Sequence, residues 1–268
     1  MSNDVRTMSC ETDQLQGRLL ECLDEIDNLK NDLDTWTDSL EELSEIADAF
    51  ENEDTNGLHG KTILDVGTDC VKPLYIALKF KPEKIVGINE EPYSFASDIE
   101  QKSKLLTETR IHFYSCSIFD EESLKKILKA EEMDKFDFVL VSKTQHHLRS
   151  GKDCVASNRD QKHECGGDEK CCIYRFEEDE IFKLLLQYGE RVIVYEAFYP
   201  QEEDEDKVRG RGGHFTTREW IDIFEHLSEK YGVQFIKPMK YRLAKSKIEK
   251  VKSELRKVDF VCFYVEAK

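Results

Sequence analysis

From residue 61 to the C-terminus, short apolar runs alternate with amphipathic stretches of helical period, and this alternation leaves few folds open. The runs are Thr62-Ile63-Leu64-Asp65-Val66, Lys84-Ile85-Val86-Gly87-Ile88-Asn89, Ile111-His112-Phe113-Tyr114, Phe136-Asp137-Phe138-Val139-Leu140-Val141 and Arg191-Val192-Ile193-Val194-Tyr195-Glu196, with two more at 233–237 and 258–266. Each is short and rich in β-branched and aromatic residues, which predicts a strand. Helical stretches are predicted at 74–78, around 93–106, at 121–130, at 177–187 and at 216–231, with Pro73 suited to a first helical turn. Apolar strands separated by helices predict a mostly parallel sheet covered on both faces. Ligands of such sheets lie beyond the strand C-termini, where strand order reverses. That rule collects Asp65 to Asp69, Asn89 to Glu91, Ser115 to Phe119 and Ser142 to His147 on one rim.

The first 57 residues read differently. Leu19, Leu23, Ile26, Leu29, Leu33, Trp36, Leu40, Leu43, Ala47 and Phe50 recur at spacings of mostly four and three, the stripe of an amphipathic helix. One long helix, a two-helix hairpin and a coiled coil that pairs two copies as a homodimer all fit this stripe. The segment holds 17 Asp and Glu against 3 Lys and Arg, a net of −14 of the chain's −17. The domain reading is therefore an acidic helical arm at 1–57, joined by a polar linker ending in Asn56-Gly57, and an α/β domain at 58–268. Residues 237–257 reverse the sign, with 9 Lys and Arg against 2 Glu. They are read as a solvated helix between the last strands, with RNA contact as the functional option. The acidity belongs mainly to the arm, so it argues only weakly against a nucleic-acid substrate.

No apolar run approaches ~18 residues, so no transmembrane helix and no membrane partner are expected. The start, Met1-Ser2-Asn3-Asp4-Val5, has neither the basic nor the apolar region of a secretory signal. Nine cysteines, an odd and scattered set, fit a reducing cytoplasm.

Five phrases in order carry a resemblance: Ile-Leu-Asp-Val-Gly (63–67), Ile-Val-Gly-Ile-Asn (85–89), Phe-Asp-Phe-Val-Leu-Val (136–141) with His-His-Leu (146–148), Tyr-Gly-Glu-Arg-Val-Ile-Val-Tyr-Glu (188–196), and His-Phe-Thr-Thr-Arg-Glu-Trp (214–220). The region from about 60 to 268 resembles the class I S-adenosylmethionine-dependent methyltransferases. The resemblance implies a Rossmann-like, seven-stranded sheet with its last strand inserted antiparallel, and S-adenosylmethionine as cofactor. It implies that Asp65, Gly67 and Thr68 face the amino-acid part of that cofactor. It places Asn89 where the family carries an acid for the ribose hydroxyls, with Glu90 able to accept two hydroxyl hydrogen bonds. It places Ser117, beside Ile118, where an acid often meets the adenine, and Ser142 on the same rim. The chain departs from the family at the later loop glycines, where Asp69 and Val71 stand, at the acid of the second strand and at the adenine acid. Read from the residues alone, Asp65 could equally be a charge partner for a helix N-terminus, and Asn89 and Ser117 ordinary loop residues. A G-x-G-x-x-G dinucleotide turn is disfavoured by Asp69 and Lys72.

Methyl transfer from a sulfonium depends mostly on alignment, with a base needed only for a protonated acceptor. The candidates for base or acceptor clamp are His146 and His147 after the fourth strand, Tyr195 at the end of the fifth, and His214 after Gly210-Arg211-Gly212-Gly213; helix starts and packing are the alternatives. The insert at about 149–176 holds Cys154, His163, Cys165, Cys171 and Cys172. Four thiols and an imidazole could hold zinc, although adjacent Cys171-Cys172 is not a C-x-x-C knuckle; a disulfide or reduced thiols are the other readings. The expectation is a methyltransferase for a small-molecule acceptor. A non-catalytic binding protein on the same fold and an RNA methyltransferase using 237–257 are the alternatives.

Overall fold

The computed structural model describes residues 58–69, 71–90, 96–142, 144, 178–199, 215–237, 241–242 and 260–268. The arm at 1–57, the cysteine insert and most of the basic segment lie outside these residues. The chain divides between Ser117 and Ile118 into two compact units.

The first unit is built on three parallel strands. Strand β1 (Thr62–Val66) pairs with β2 (Lys84–Asn89), which pairs with β3 (Arg110–Ser115), giving the order β3-β2-β1. Ile63, Leu64, Ile85, Val86, Ile88 and Ile111 are buried. A parallel sheet covered on both faces needs such continuous apolar runs. Helix α1 (Val71–Phe80) follows β1 and buries nine of its ten residues, so it is an interior helix. Helix α2 (Ala96–Leu106) is largely exposed and buries Ile99 and Ser103. Its Glu100 accepts the Phe113 backbone N–H at 2.7 Å through Oε1. This contact satisfies a donor of β3, a strand with a single pairing partner in this unit, and unpaired strand donors invite association.

Helix α1 ends on Lys81, whose N–H donates to the Ala77 carbonyl at 3.2 Å and whose φ is 50°. A left-handed residue closing a helix favours glycine because a Cβ is crowded there. Lys81→Gly is therefore expected to stabilise the chain by about 0.5–1 kcal/mol, read as a raised denaturation midpoint with an unchanged denaturant slope.

The second unit opens with helix α3 (Glu121–Ala130). Asp120 caps it, accepting the Ser123 N–H at 3.1 Å and the Ser123 hydroxyl at 2.7 Å. Strand β4 (Phe136–Ser142) follows, then helix α4 (Glu178–Tyr188), strand β5 (Gly189–Tyr199), the short β6 (Phe215–Thr216), helix α5 (Thr217–Lys230), strand β7 (Tyr231–Lys237), the short β8 (Tyr241–Arg242) and β9 (Phe260–Ala267). The order is β4-β5-β9-β7-β8, with β6 on β5. Strands β4 and β5 are parallel, whereas β9 is antiparallel to both β5 and β7. Trp220 and Phe224 of α5 meet Phe263 of β9 edge-on, with centroids 5.6 and 5.0 Å from it, and Phe182 of α4 lies 6.2 Å from the same ring. All four rings are fully buried.

The seven main strands and five helices among the described residues follow the predicted order. Helix α3 matches its predicted bounds, while β5 starts two residues earlier, at Gly189, and runs three residues further, to Tyr199. Two features were not predicted. Phe215–Thr216 forms a two-residue strand, and Tyr241–Arg242, expected at the start of a basic helix, pairs instead with Gln234 and Phe235 of β7. The antiparallel edge of β7 offers backbone partners that local sequence does not reveal. The half-orders β3-β2-β1 and β4-β5-β9-β7 among the main strands, with the final strand β9 antiparallel, are those of the class I methyltransferase fold.

Candidate functional site

The site is built from the C-terminal ends of β1, β2 and β3. Asp65 is the fourth residue of β1 and is completely buried, both carboxylate oxygens included. Val66 ends the strand, and Gly67 turns the chain with φ of 69°, a conformation open to glycine at little cost. The turn is pinned to β2. The N–H groups of Gly67 and Thr68 both donate to the Ile88 carbonyl, at 2.9 and 3.1 Å. The Asn89 side chain completes the attachment, its Nδ2 donating to the Thr68 carbonyl at 3.1 Å.

Asp69 then starts the approach to α1. Its Oδ1 accepts the Lys72 N–H at 2.8 Å, and its Oδ2 lies 3.8 Å from Lys72 Nζ. An acceptor side chain at the first turn of a helix satisfies a donor that the helix itself leaves open. The departure from glycine at 69 therefore has a local reason: the chain supplies its own carboxylate at this helix start. Val71, at the other departure, is buried as the first residue of α1.

The other side of the rim is tied as firmly. Cys116 N–H donates to the Asn89 carbonyl at 2.9 Å, and the Ser115 hydroxyl donates to the Glu90 carbonyl at 3.0 Å. These bonds hold the ends of β2 and β3 together. Glu90 itself is exposed, and Gly67, Asp69, Asn89 and Ser117 are partly exposed. Asp65 and Thr68 are buried.

Thus the first unit holds Asp65, Gly67, Thr68, Asn89, Glu90 and Ser117 within or just beyond the C-terminal ends of β1, β2 and β3. The second unit holds the remaining described candidates. Ile118 is its buried first residue, Ser142 is buried at the end of β4, and Tyr195 is buried opposite Ser142 and Cys262 in β5. Thr144 donates its hydroxyl to the Ser142 carbonyl at 2.9 Å. Next to Tyr195, Glu196 is fully buried. His146, His147 and His214, and the insert's Cys154, His163, Cys165, Cys171 and Cys172, lie outside the described residues. Among the described residues no three His, Cys, Asp or Glu side chains cluster as a metal site, and no helix is long and apolar enough to cross a membrane.

Three residues shaping this region were not proposed from sequence as site residues, although the strand-end rule put Ser115 on the rim. Lys72 could have been found from its i,i+3 spacing to Asp69. Ser115 gave no signal beyond its place at a strand end. Gly87 could have been found because a glycine inside a strand often marks a close approach. A Cβ there would stand 2.6 Å from the Phe113 ring and 2.9 Å from the Thr68 methyl.

The strand orders are those of an α/β protein with the class I S-adenosylmethionine-dependent methyltransferase fold. No protein-family model matches the chain, and no curated protein does. Solved structures similar to it include the plantazolicin methyltransferase BpumL bound to a monoazolic desmethyl-plantazolicin analogue and S-adenosylhomocysteine, at 9% identity and a TM-score of 0.48, covering 98% of this chain and 100% of that one. The geranyl diphosphate C-methyltransferase of Streptomyces coelicolor A3(2) is similar at 11% identity and a TM-score of 0.45, over 84% of this chain and 79% of that one. The pyocyanin biosynthetic protein PhzM is similar at 16% identity and a TM-score of 0.44, over 84% of this chain but 55% of its own length.

Proposed function

We propose that this chain binds S-adenosylmethionine on the rim of its first unit and transfers the methyl group to a small-molecule acceptor. One observation carries the reading. A fully buried acid near the end of β1 leads into a left-handed glycine turn, and the ends of β2 and β3 are tied to each other through the backbone carbonyl of Glu90, an exposed residue directly after β2.

The polar groups of this rim offer acceptors suited to the nucleoside part of the cofactor. Glu90 offers two carboxylate oxygens, the acceptors that a pair of ribose hydroxyls requires. Gly67 lacks the Cβ that would keep a ligand from the backbone, and Ser117 supplies a small polar group for the base. Asp65, buried near the end of β1, is proposed to serve the amino-acid part of the cofactor. When bound, S-adenosylmethionine supplies an already activated methyl group. The residues' task is then to hold donor and acceptor in line, with His146, His147, Tyr195 and His214 proposed as clamp or base for the acceptor.

A non-catalytic binding protein is the second reading. It is favoured by Asp69, which places its carboxylate and its contact to Lys72 where the family's loop has glycine. Thermal denaturation with S-adenosylhomocysteine separates the two. A ligand that binds only the folded chain stabilises it by about 2.7 kcal/mol at a hundred times Kd, a rise of roughly 5–10 °C for a chain of this size. An unchanged Tm at millimolar S-adenosylhomocysteine would remove the first reading.

A further inference from the structure

Asn89 occupies the position where the resemblance expects an acid for the ribose, yet its hydrogen bonds run elsewhere. Its side-chain amide donates to the Thr68 carbonyl at 3.1 Å, and its backbone carbonyl accepts the Cys116 N–H at 2.9 Å. The residue before it, Ile88, accepts both Gly67 and Thr68 N–H groups through its carbonyl. The amide, strand and loop together commit both backbone groups of Thr68 to β2. A carboxylate at 89 could accept hydrogen bonds but could not donate to a carbonyl.

We infer that Asn89 is a positioning residue, which clamps the Gly67–Asp69 turn to β2 and thereby sets the floor on which the cofactor's ribose rests, leaving recognition of the ribose hydroxyls to Glu90. The inference rests on the proposed cofactor reading for its functional half, while the clamp is a property of the chain without ligand. It reverses the effect expected of the family acid. Asn89→Asp places a carboxylate oxygen against the Thr68 carbonyl oxygen, two acceptors with no proton between them. The turn is then released where a ribose-binding acid would have gained affinity.

The test has two arms on the full-length chain. Hydrogen exchange without ligand follows the peptide spanning Gly67 and Thr68, with the peptide covering β3 as the internal reference. Asn89→Asp and Asn89→Ala are expected to speed exchange at Gly67 and Thr68 by about tenfold, the loss of one hydrogen bond, with β3 unchanged. Asn89→Gln, which keeps the amide donor, is expected to recover part of the protection. Titration with S-adenosylhomocysteine is expected to show Asn89→Asp binding about tenfold more weakly than the unsubstituted chain. Exchange in Asn89→Asp as slow as in the unsubstituted chain, or tighter binding of S-adenosylhomocysteine by Asn89→Asp, would overturn the inference. If the unsubstituted chain does not bind S-adenosylhomocysteine, the cofactor reading fails, and the exchange arm still decides whether Asn89 is the clamp.

Discussion

Phe263→Ala is expected to lower the stability of the second unit by about 3–5 kcal/mol. Phe263 is the ring on which helices α4 and α5 converge. Its face and edges meet Trp220, Phe224 and Phe182, and none of the four rings reaches solvent. Alanine removes the shared partner of all three and leaves a cavity that two helices and the central antiparallel strand would have to move together to close. The expected loss exceeds that of an aliphatic truncation because each aromatic contact adds roughly 0.5–1.5 kcal/mol beyond its buried area. Urea denaturation followed by Trp fluorescence measures it, since Trp220 reports on the site itself. A loss below about 1 kcal/mol would mean that the cluster repacks freely, against the close packing normal for protein interiors.

Gly87→Val is expected to cost about 1–3 kcal/mol and to abolish measurable binding of S-adenosylhomocysteine. Gly87 lies in β2, opposite Asp65 in β1 and Phe113 in β3. A single added carbon would already overlap the Phe113 ring and the Thr68 methyl. Valine adds two further methyl groups that the strand cannot turn away from both neighbours. The two effects separate by measurement: denaturation reports the strain, and calorimetric titration reports the displaced Thr68. Gly87→Ala should show both effects in smaller degree, and a Gly87→Val chain that binds the ligand normally would detach Thr68 from the site.

Much of the fold was legible because parallel strands between helices must be apolar along their whole length. Ile85-Val86 and Val139-Leu140-Val141 announce themselves in that way, and the runs predicted β1, β2 and β4 nearly to the residue. Helix α3 was bounded as sharply because Asp120 caps it and Glu121 and Glu122 occupy its first turn. What stayed hidden depends on partners distant in sequence. Tyr241–Arg242 becomes a strand because β7 lies beside it, in a stretch whose lysines suggest a helix. The site shows the same division. Asp65, Gly67 and Glu90 were proposed from their place at strand ends. Asn89's role was not, since it depends on the direction of one amide toward a carbonyl 21 residues earlier. Asp69 read as a lost glycine, whereas its carboxylate serves the first turn of α1.

The most direct measurement of the account is a structure of the full-length chain with S-adenosylhomocysteine added. It is expected to show the nucleoside over the Gly67–Asp69 turn, with the ribose hydroxyls on the Glu90 carboxylate and Asn89 still bonded to the Thr68 carbonyl. S-adenosylhomocysteine bound away from the ends of β1, β2 and β3, or absent at saturating concentration, would contradict it.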